Sequence, residues 1–115
     1  PNAVCLSVHQ NTYTDPKYSG AQMFYSPANA DSERFASILQ NLFVKNLQPD
    51  NMRETKLCGK ELYLCYYCNN PAVMAECGFL SNYEEKELLK TDEYQMKLAM
   101  SIYTSVIEYI SEDNK

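Results

Sequence analysis

The sequence has little positive charge and no long apolar run. Its 115 residues include 10 lysines and arginines against 15 aspartates and glutamates, and the net charge is −5. A protein that binds nucleic-acid phosphates needs a basic stripe, so we expect no nucleic-acid partner. No apolar stretch approaches the roughly 20 residues of a membrane-spanning helix, and no signal peptide is visible. The sequence therefore predicts neither a nucleic-acid binder nor a membrane-spanning chain.

The chain also lacks an initial methionine and has a single histidine, His9. Strand-like sequence starts as early as Ala3. We therefore expect the chain to be a piece of a longer or processed protein, so that a targeting segment could lie outside it.

What the sequence does contain is the composition of one globular domain. Its length suits one domain better than two, and its 45% hydrophobic and 22% charged residues are ordinary values. The five cysteines form an odd set, and Cys5, Cys65 and Cys77 lie inside apolar, strand-like runs. Buried free cysteine behaves as a small hydrophobe, which favours reduced thiols.

Hydrophobic periodicity predicts four strands and three helices. The strand candidates are short apolar runs, and the helix candidates repeat apolar residues at steps of three and four. In chain order the prediction is a strand at 3–8, a strand at 20–25, a helix from Asp31 or Ser32 to Leu47, strands at 62–67 and 72–77, a short helix through about Lys90 with a capping box of Ser81 and Glu84, and a helix from 91 to about 110. This order indicates an α/β fold with a layered mixed or parallel sheet flanked by helices.

Two polar residues lie near the carboxyl ends of predicted strands. His9 ends the first strand and Glu76 is near the end of the fourth, where open α/β sheets gather their ligands. An imidazole can ligate a metal or move a proton, and a partly desolvated glutamate has a raised pKa that suits a general base. Pattern alone still favours the simpler interpretation, in which the histidine is hydrogen-bonded for structure and the glutamate caps a turn.

Two further features are weaker candidates. Cys65 and Cys68 match C-x-x-C, but in a predicted strand residues three apart face opposite ways, so we expect no cysteine metal site. The run containing Tyr63, Tyr66 and Tyr67 could line a sugar- or peptide-binding surface, although such tyrosines are more often core or rim residues.

Three stretches together resemble one enzyme family. Residues 71–82 read PAVMAECGFLSN, residues 6–11 read LSVHQN and residues 19–25 read SGAQMFY. They resemble the glutamate motif, the Ser-Ile-His-x-Asn strand end and the stretch after it in the zinc-dependent N-acetylmuramoyl-L-alanine amidases of the amidase_3 type. The SGAQ-x-FY run and the later GKELYL at 59–64 resemble the germination-specific spore-cortex branch. The resemblance extends to about Ile110.

The resemblance implies a function, a cofactor and two site residues. In the family, zinc and the glutamate activate a water that cleaves the amide between N-acetylmuramic acid and L-alanine of the peptidoglycan stem peptide. His9 matches a zinc ligand and Glu76 the catalytic carboxylate, whereas Asn11 and Asn82 match positions that we interpret as a loop residue and a helix cap. The implied location is extracellular, in the cell wall or associated with spores.

The sequence departs from the family at the N-terminal side. The family has a Gly-His-Gly type loop and a further glutamate there, which supply the other two zinc ligands, and neither is present here. A catalytic zinc site needs three protein ligands. We therefore expect residues 1–110 to be the C-terminal portion of one catalytic domain, an incomplete version of the amidase fold, with 111–115 as a frayed tail.

This incompleteness has three expected consequences. The 115 residues alone should bind zinc weakly or not at all and have little activity. An uncovered sheet edge should invite a homodimer or strand exchange. The alternative function is a truncated or degenerate domain that binds peptidoglycan or a partner protein without cleaving.

Overall fold

Four strands and four helices occur in residues 3–113, the part of the chain that the structure, a computed structural model, describes. The elements are β1 (Cys5–Asn11), β2 (Gln22–Tyr25), α1 (Ser32–Asn46), β3 (Lys56–Leu57), α2 (Tyr63–Tyr66), β4 (Ala72–Phe79), α3 (Tyr83–Leu89) and α4 (Asp92–Asp113). Among the described residues, no helix has both the length and the apolar character needed to cross a membrane.

The strands form one mixed sheet in the order β1-β4-β2-β3. β1 runs parallel to β4, β2 runs antiparallel to β4, and β2 pairs in parallel with the short β3. The predicted α/β fold with a layered, mixed sheet is confirmed. Because β4 is central, the motif at residues 71–82 lies between two hydrogen-bonded neighbours.

The core lies on the face of the sheet that α1 and α4 cover. Alternate side chains of β4, at Val73, Ala75 and Cys77, belong to this core, together with Phe35 and Phe43 of α1. All five side chains are nearly inaccessible to solvent, and burying each phenylalanine contributes about 1.5–3 kcal/mol. The opposite face of β4, beginning with Ala72 and Met74, packs against a smaller cluster that includes Cys58 and Cys65. β4 is therefore covered on both faces, as its nearly continuous apolar sequence indicates.

The predicted strand at 62–67 is wrong, because the chain forms the one-turn helix α2 there. Leu62, Cys65 and Tyr66, at positions i, i+3 and i+4, all pack into the smaller cluster. This helical spacing outweighs the β propensity of the tyrosines. Residues 48–60, whose polar sequence predicts an irregular segment, include the two-residue strand β3.

Helix ends differ from the predictions at three places. The residue before α1 is Asp31, but its side chain caps no backbone group of the helix. α3 is capped by Asn82, whose side chain accepts from the Glu85 backbone, so the capping box of Ser81 and Glu84 is wrong. α4 continues to Asp113, so residues 111–113 are helical where we expected fraying. The rest of that expected tail, residues 114–115, lies outside the described residues.

Candidate active site

His9 and Glu76 are direct neighbours across the parallel pair β1–β4. The register pairs Ser7 with Met74 and His9 with Glu76. Residues opposite each other in register project from the same side of a sheet, so the two side chains are neighbours on one face. The structure thus brings together the two residues that the sequence singled out, near the carboxyl ends of both strands.

The imidazole of His9 is exposed and held by one neighbour on its own strand. Its Nε2 lies 2.7 Å from the Ser7 hydroxyl, within hydrogen-bond distance. Ser7 reaches it because side chains two apart share a face of the strand. Alternation along a strand predicts that Ser7 shares a face with His9, but it does not predict the hydrogen bond to the ring.

The carboxylate of Glu76 is half-buried and incompletely satisfied. Its Oε2 is buried and has no hydrogen-bond partner. An unsatisfied buried polar atom costs about 1–3 kcal/mol and calls for an explanation, such as a catalytic role or a bound ion or water. Burial raises the pKa of Glu76 above its ordinary value, and the neighbouring His9 opposes that rise. Such a group is better suited to accept a proton than an exposed glutamate.

The other side of Glu76 faces Gln22 on the antiparallel strand β2. The Gln22 side chain donates to the Glu54 carbonyl at 2.8 Å and accepts from Arg53 Nη1 at 3.4 Å. Arg53 also donates to the Ser19 carbonyl at 3.1 Å. No sequence pattern points to Arg53, because its loop position has no periodicity.

The residues after Glu76 hold the loop at 12–20 against the end of β4. The Ser81 hydroxyl accepts from the Tyr13 backbone at 3.0 Å, and Asn82 Nδ2 donates to the Pro16 carbonyl at 3.0 Å. Tyr18 packs its ring on Phe79, with centroids 6.5 Å apart. The Phe-Leu-Ser-Asn run therefore fixes the loop that follows β1. Asn82 is the helix cap that the sequence predicts, and it has this second role as well.

Glu85 is a buried carboxylate that joins the same loop to β4. It accepts from the Phe79 backbone at 2.6 Å and from the Gly20 backbone at 2.9 and 3.0 Å. Gly20 has φ +99°, a conformation that glycine adopts without strain. Gly78 lies inside β4 rather than in a turn, and a Cβ there would come within 2.7 Å of the Glu85 carboxylate. The absence of a side chain at Gly78 thus leaves room for the Glu85 carboxylate.

A cavity of about 440 Å³ opens on the sheet face that carries His9. Its lining includes Ser7, His9 and Met74 from the strands and residues 62–65 around α2. The side chains of Tyr63 and Leu64 are 69% and 84% exposed at its rim. This exposure is compatible with the predicted sugar- or peptide-binding surface, which stays a prediction.

The fit of these residues to a zinc ion is incomplete. A catalytic zinc needs three protein ligands, and no group of three or more histidine, cysteine, aspartate or glutamate side chains in residues 3–113 could hold a metal. His9 is a suitable single ligand, and the orphaned Oε2 of Glu76 is suitable for a water or ion beside it. Within residues 3–113, His9 is thus the candidate ligand and Glu76 the carboxylate beside it.

The fold and the site define an α/β domain with an imidazole and a carboxylate at the carboxyl ends of two parallel strands. Comparison with known families makes the class specific: residues 1–108 match the family N-acetylmuramoyl-L-alanine amidase, Amidase_3. The chain belongs to this family.

Individual proteins similar to the chain are named as amidases of the same kind. The chain is 36% identical over 107 residues to the germination-specific N-acetylmuramoyl-L-alanine amidase of Bacillus subtilis, covering 93% of the chain and 44% of that protein. It resembles the CwlD amidase of Clostridioides difficile, solved in complex with the GerS lipoprotein, with TM-score 0.90 and 38% identity over 96% of the chain and 56% of that structure. An N-acetylmuramoyl-L-alanine amidase from Clostridium difficile 630 matches with TM-score 0.83 and 25% identity, covering 94% of the chain and 57% of that structure. The chain spans about half the length of these relatives.

Proposed function

We propose that the chain is the C-terminal portion, at residues 1–110, of the catalytic domain of a peptidoglycan hydrolase. The bond cleaved is the amide between the lactyl group of N-acetylmuramic acid and L-alanine of the stem peptide. The observation that carries the proposal is the register that sets His9 beside Glu76, with one Glu76 oxygen buried and unpartnered. Family membership supplies the reaction class, and the raised pKa of Glu76 supports its use as a base.

Glu76 would act first as a base and then as an acid. Its carboxylate takes a proton from water while the water oxygen bonds to the carbonyl carbon. The same proton then passes to the amide nitrogen as the carbon–nitrogen bond breaks, which releases a lactyl carboxylic acid and a peptide amine. A positioned group of this kind contributes typically about 10²–10⁴-fold to the rate.

Zinc is the cofactor that the family resemblance implies, and His9 is the ligand that this chain would contribute. Bound zinc would polarise the scissile carbonyl and lower the pKa of a bound water. The remaining ligands would come from outside these 115 residues. We therefore propose that the chain alone retains no zinc at His9 and has little activity. Metal analysis after dialysis tests this, and one tightly bound zinc that His9→Ala removes would contradict it.

The substrate sets the proposed location. Peptidoglycan lies outside the cytoplasmic membrane, so we propose that the protein acts extracellularly, in the cell wall or in association with spores. The similarity to a germination-specific amidase of Bacillus subtilis supports the spore cortex as the particular wall.

The direct test is Glu76→Gln in the full-length protein, measured by release of stem peptide from purified peptidoglycan. We expect turnover to fall about 10²–10⁴-fold while zinc content and folding stay unchanged. Glu108→Gln is the matched control, because Glu108 is exposed on α4 and should leave turnover unaffected. Full turnover in Glu76→Gln would remove Glu76 from the mechanism.

The second candidate function is a module that binds peptidoglycan or a protein partner without cleaving it. The observation in its favour is that β1 is an edge strand with Val8 52% exposed, so its outer backbone groups are open to pairing, including homodimer formation or strand exchange. Sedimentation of the 115-residue chain with and without peptidoglycan separates the two candidates. Binding that persists without stem-peptide release, even when the chain is supplied in its full-length context with zinc, would favour the module.

A further inference from the structure

Four of the five cysteines gather on the sheet face that carries the cavity. Cys58 and Cys65 are buried there, and Cys5 and Cys68 pack against them half-exposed. Cys77 lies in the main core, on the opposite face of β4. The proposed hydrolysis uses none of these thiols, and three sequence-distant segments have to fold together to assemble the cluster.

Cys58 and Cys65 are the best-placed pair within this cluster. Their sulfur atoms are 3.5 Å apart, and the two residues are only 3% and 8% exposed. The shift needed to reach the roughly 2.05 Å of a disulfide is about 1.5 Å. Burial is the larger cause and the neighbouring Cys58 the smaller one of a rise in the pKa of Cys65 to about 12, so Cys65 is a thiol near neutral pH.

Backbone hydrogen bonds hold both residues in place. The Cys58 backbone donates to the Tyr25 carbonyl of β2 at 3.0 Å. α2, which carries Cys65, is held to the turn after β2 because Ser26 Oγ donates to the Tyr66 carbonyl at 3.0 Å. The two sulfur atoms are therefore kept close by contacts that do not depend on the sulfurs themselves.

We propose that Cys58 and Cys65 are a modification site that closes into a disulfide when the protein meets a disulfide oxidant. Each thiol gives up its proton, the Sγ–Sγ bond forms, and the two electrons reduce one small-molecule disulfide to two thiols. The bond ties the end of β3 to α2. Because residues 62–65 line the cavity beside His9, the disulfide makes that wall rigid.

The test is a peptide map of the protein after incubation with oxidised glutathione and alkylation of the remaining thiols. Trypsin releases Cys58 in peptide 57–60 and Cys65 in peptide 61–86, because Lys60 lies between them. Chymotryptic cleavage at Tyr66 or Tyr67 then separates Cys65 from Cys68. We expect 57–60 to be linked to the Cys65 piece, and Tm to rise by about 4 °C or more, reversibly with dithiothreitol.

Variants separate this pair from its neighbours. Cys58→Ala and Cys65→Ala should each abolish both the cross-link and the rise in Tm, whereas Cys68→Ala and Cys77→Ala should keep both. Three results would overturn the proposal: Cys58 and Cys65 both alkylated after oxidation, a bond from Cys58 to Cys5 or Cys68, or protection of the thiols by a bound metal that a chelator removes. The wild-type map decides the question even where a variant fails to fold.

Discussion

Residue 78, in the motif at residues 71–82, packs so closely against the neighbouring helix α3 that only glycine fits there without a rearrangement. Glu85 of α3 fills the space that a Cβ at Gly78 would occupy. Its carboxylate is tied there by the Phe79 and Gly20 backbones, so it has no free position to move to. A side chain at residue 78 therefore has to displace Glu85 or the strand itself.

We expect Gly78→Ala to lower the free energy of unfolding by about 1–3 kcal/mol, since it overpacks the site or breaks buried hydrogen bonds. Gly59→Ala is the matched control. The atoms nearest to its new Cβ belong to the carboxylate of the exposed Glu61 side chain, which can swing into solvent. Urea unfolding measures both, and equal losses in the two variants would show that the Glu85 contact is not the cause.

At this scale the sequence predicts the pair His9 and Glu76 and misses the polar contacts of the elements around them. Alternation along a strand tells which side chains share a face, so Ser7 and His9 are grouped correctly. Gln22 and Glu85 come from other elements, and their contacts with Arg53, Gly20 and Phe79 depend on long-range packing that no local pattern encodes. One sequence pattern does include Glu85: it lies three residues after the helix-capping Asn82, which is the spacing of a capping box.

The sequence predicts best those elements whose burial follows from their own apolar pattern. β4 is apolar over almost its whole length because helices or loops cover both faces, and such a run needs no partner information to be recognised. α2 has one turn, and its tyrosines favour a strand by propensity. Its helical form follows from the packing of Cys65 against Cys58 and β4, which the sequence alone does not reveal. Likewise, the adjacency of β1 and β4 is a non-local pairing that the prediction left open.

α3 provides a prediction at the level of an element, because Asn82 both starts the helix and anchors a loop. Its Oδ1 accepts from the Glu85 backbone at 3.0 Å, and its Nδ2 donates to the Pro16 carbonyl at 3.0 Å. Asn82→Ala should lose both contacts and about 1–2 kcal/mol of unfolding free energy. Asn82→Asp keeps a capping oxygen but loses the amide donor, so it should recover most of the stability.

The two contacts can be told apart by hydrogen exchange. Loop residues 12–20 should exchange faster in both variants, because neither can donate to Pro16, whereas the first turn of α3 should be protected in Asn82→Asp and exposed in Asn82→Ala. Normal loop exchange in Asn82→Asp would show that the amide does not hold the loop.

At the scale of the whole molecule, one polar cluster joins the start of α1 to the end of α4. Asp31 accepts from Arg34 Nε at 3.0 Å and Nη2 at 2.8 Å, and also from the Tyr109 hydroxyl. Arg34 lies over the Tyr109 ring at 4.2 Å and reaches Glu112 at 3.3 Å. These contacts connect the two helices that cover the main core, so their loss should be felt as global stability.

The charge of Asp31 in this cluster predicts how the free energy of unfolding depends on pH. Hydrogen bonds from Arg34, then from Tyr109, lower the pKa of Asp31 below its ordinary value. A carboxyl with a lowered pKa in the folded state contributes stability above its unfolded pKa of about 3.9, and loses that contribution as the pH falls through the lower folded pKa. Protonation of Asp31 should therefore lower the free energy of unfolding as the pH falls. Asp31→Asn should remove this contribution to the pH dependence.

Urea unfolding of the wild type and Asp31→Asn between about pH 2 and pH 7 checks this linkage. We expect a difference of about 1 kcal/mol at neutral pH, kept small because the cluster is partly exposed and solvent screens it, and convergence of the two curves below the folded pKa. Glu93→Gln removes an exposed pair with Lys97 at 3.5 Å and is the control, with a smaller effect expected. A constant difference at every pH would mean that Asp31 stabilises the helices by contacts that do not require its charge.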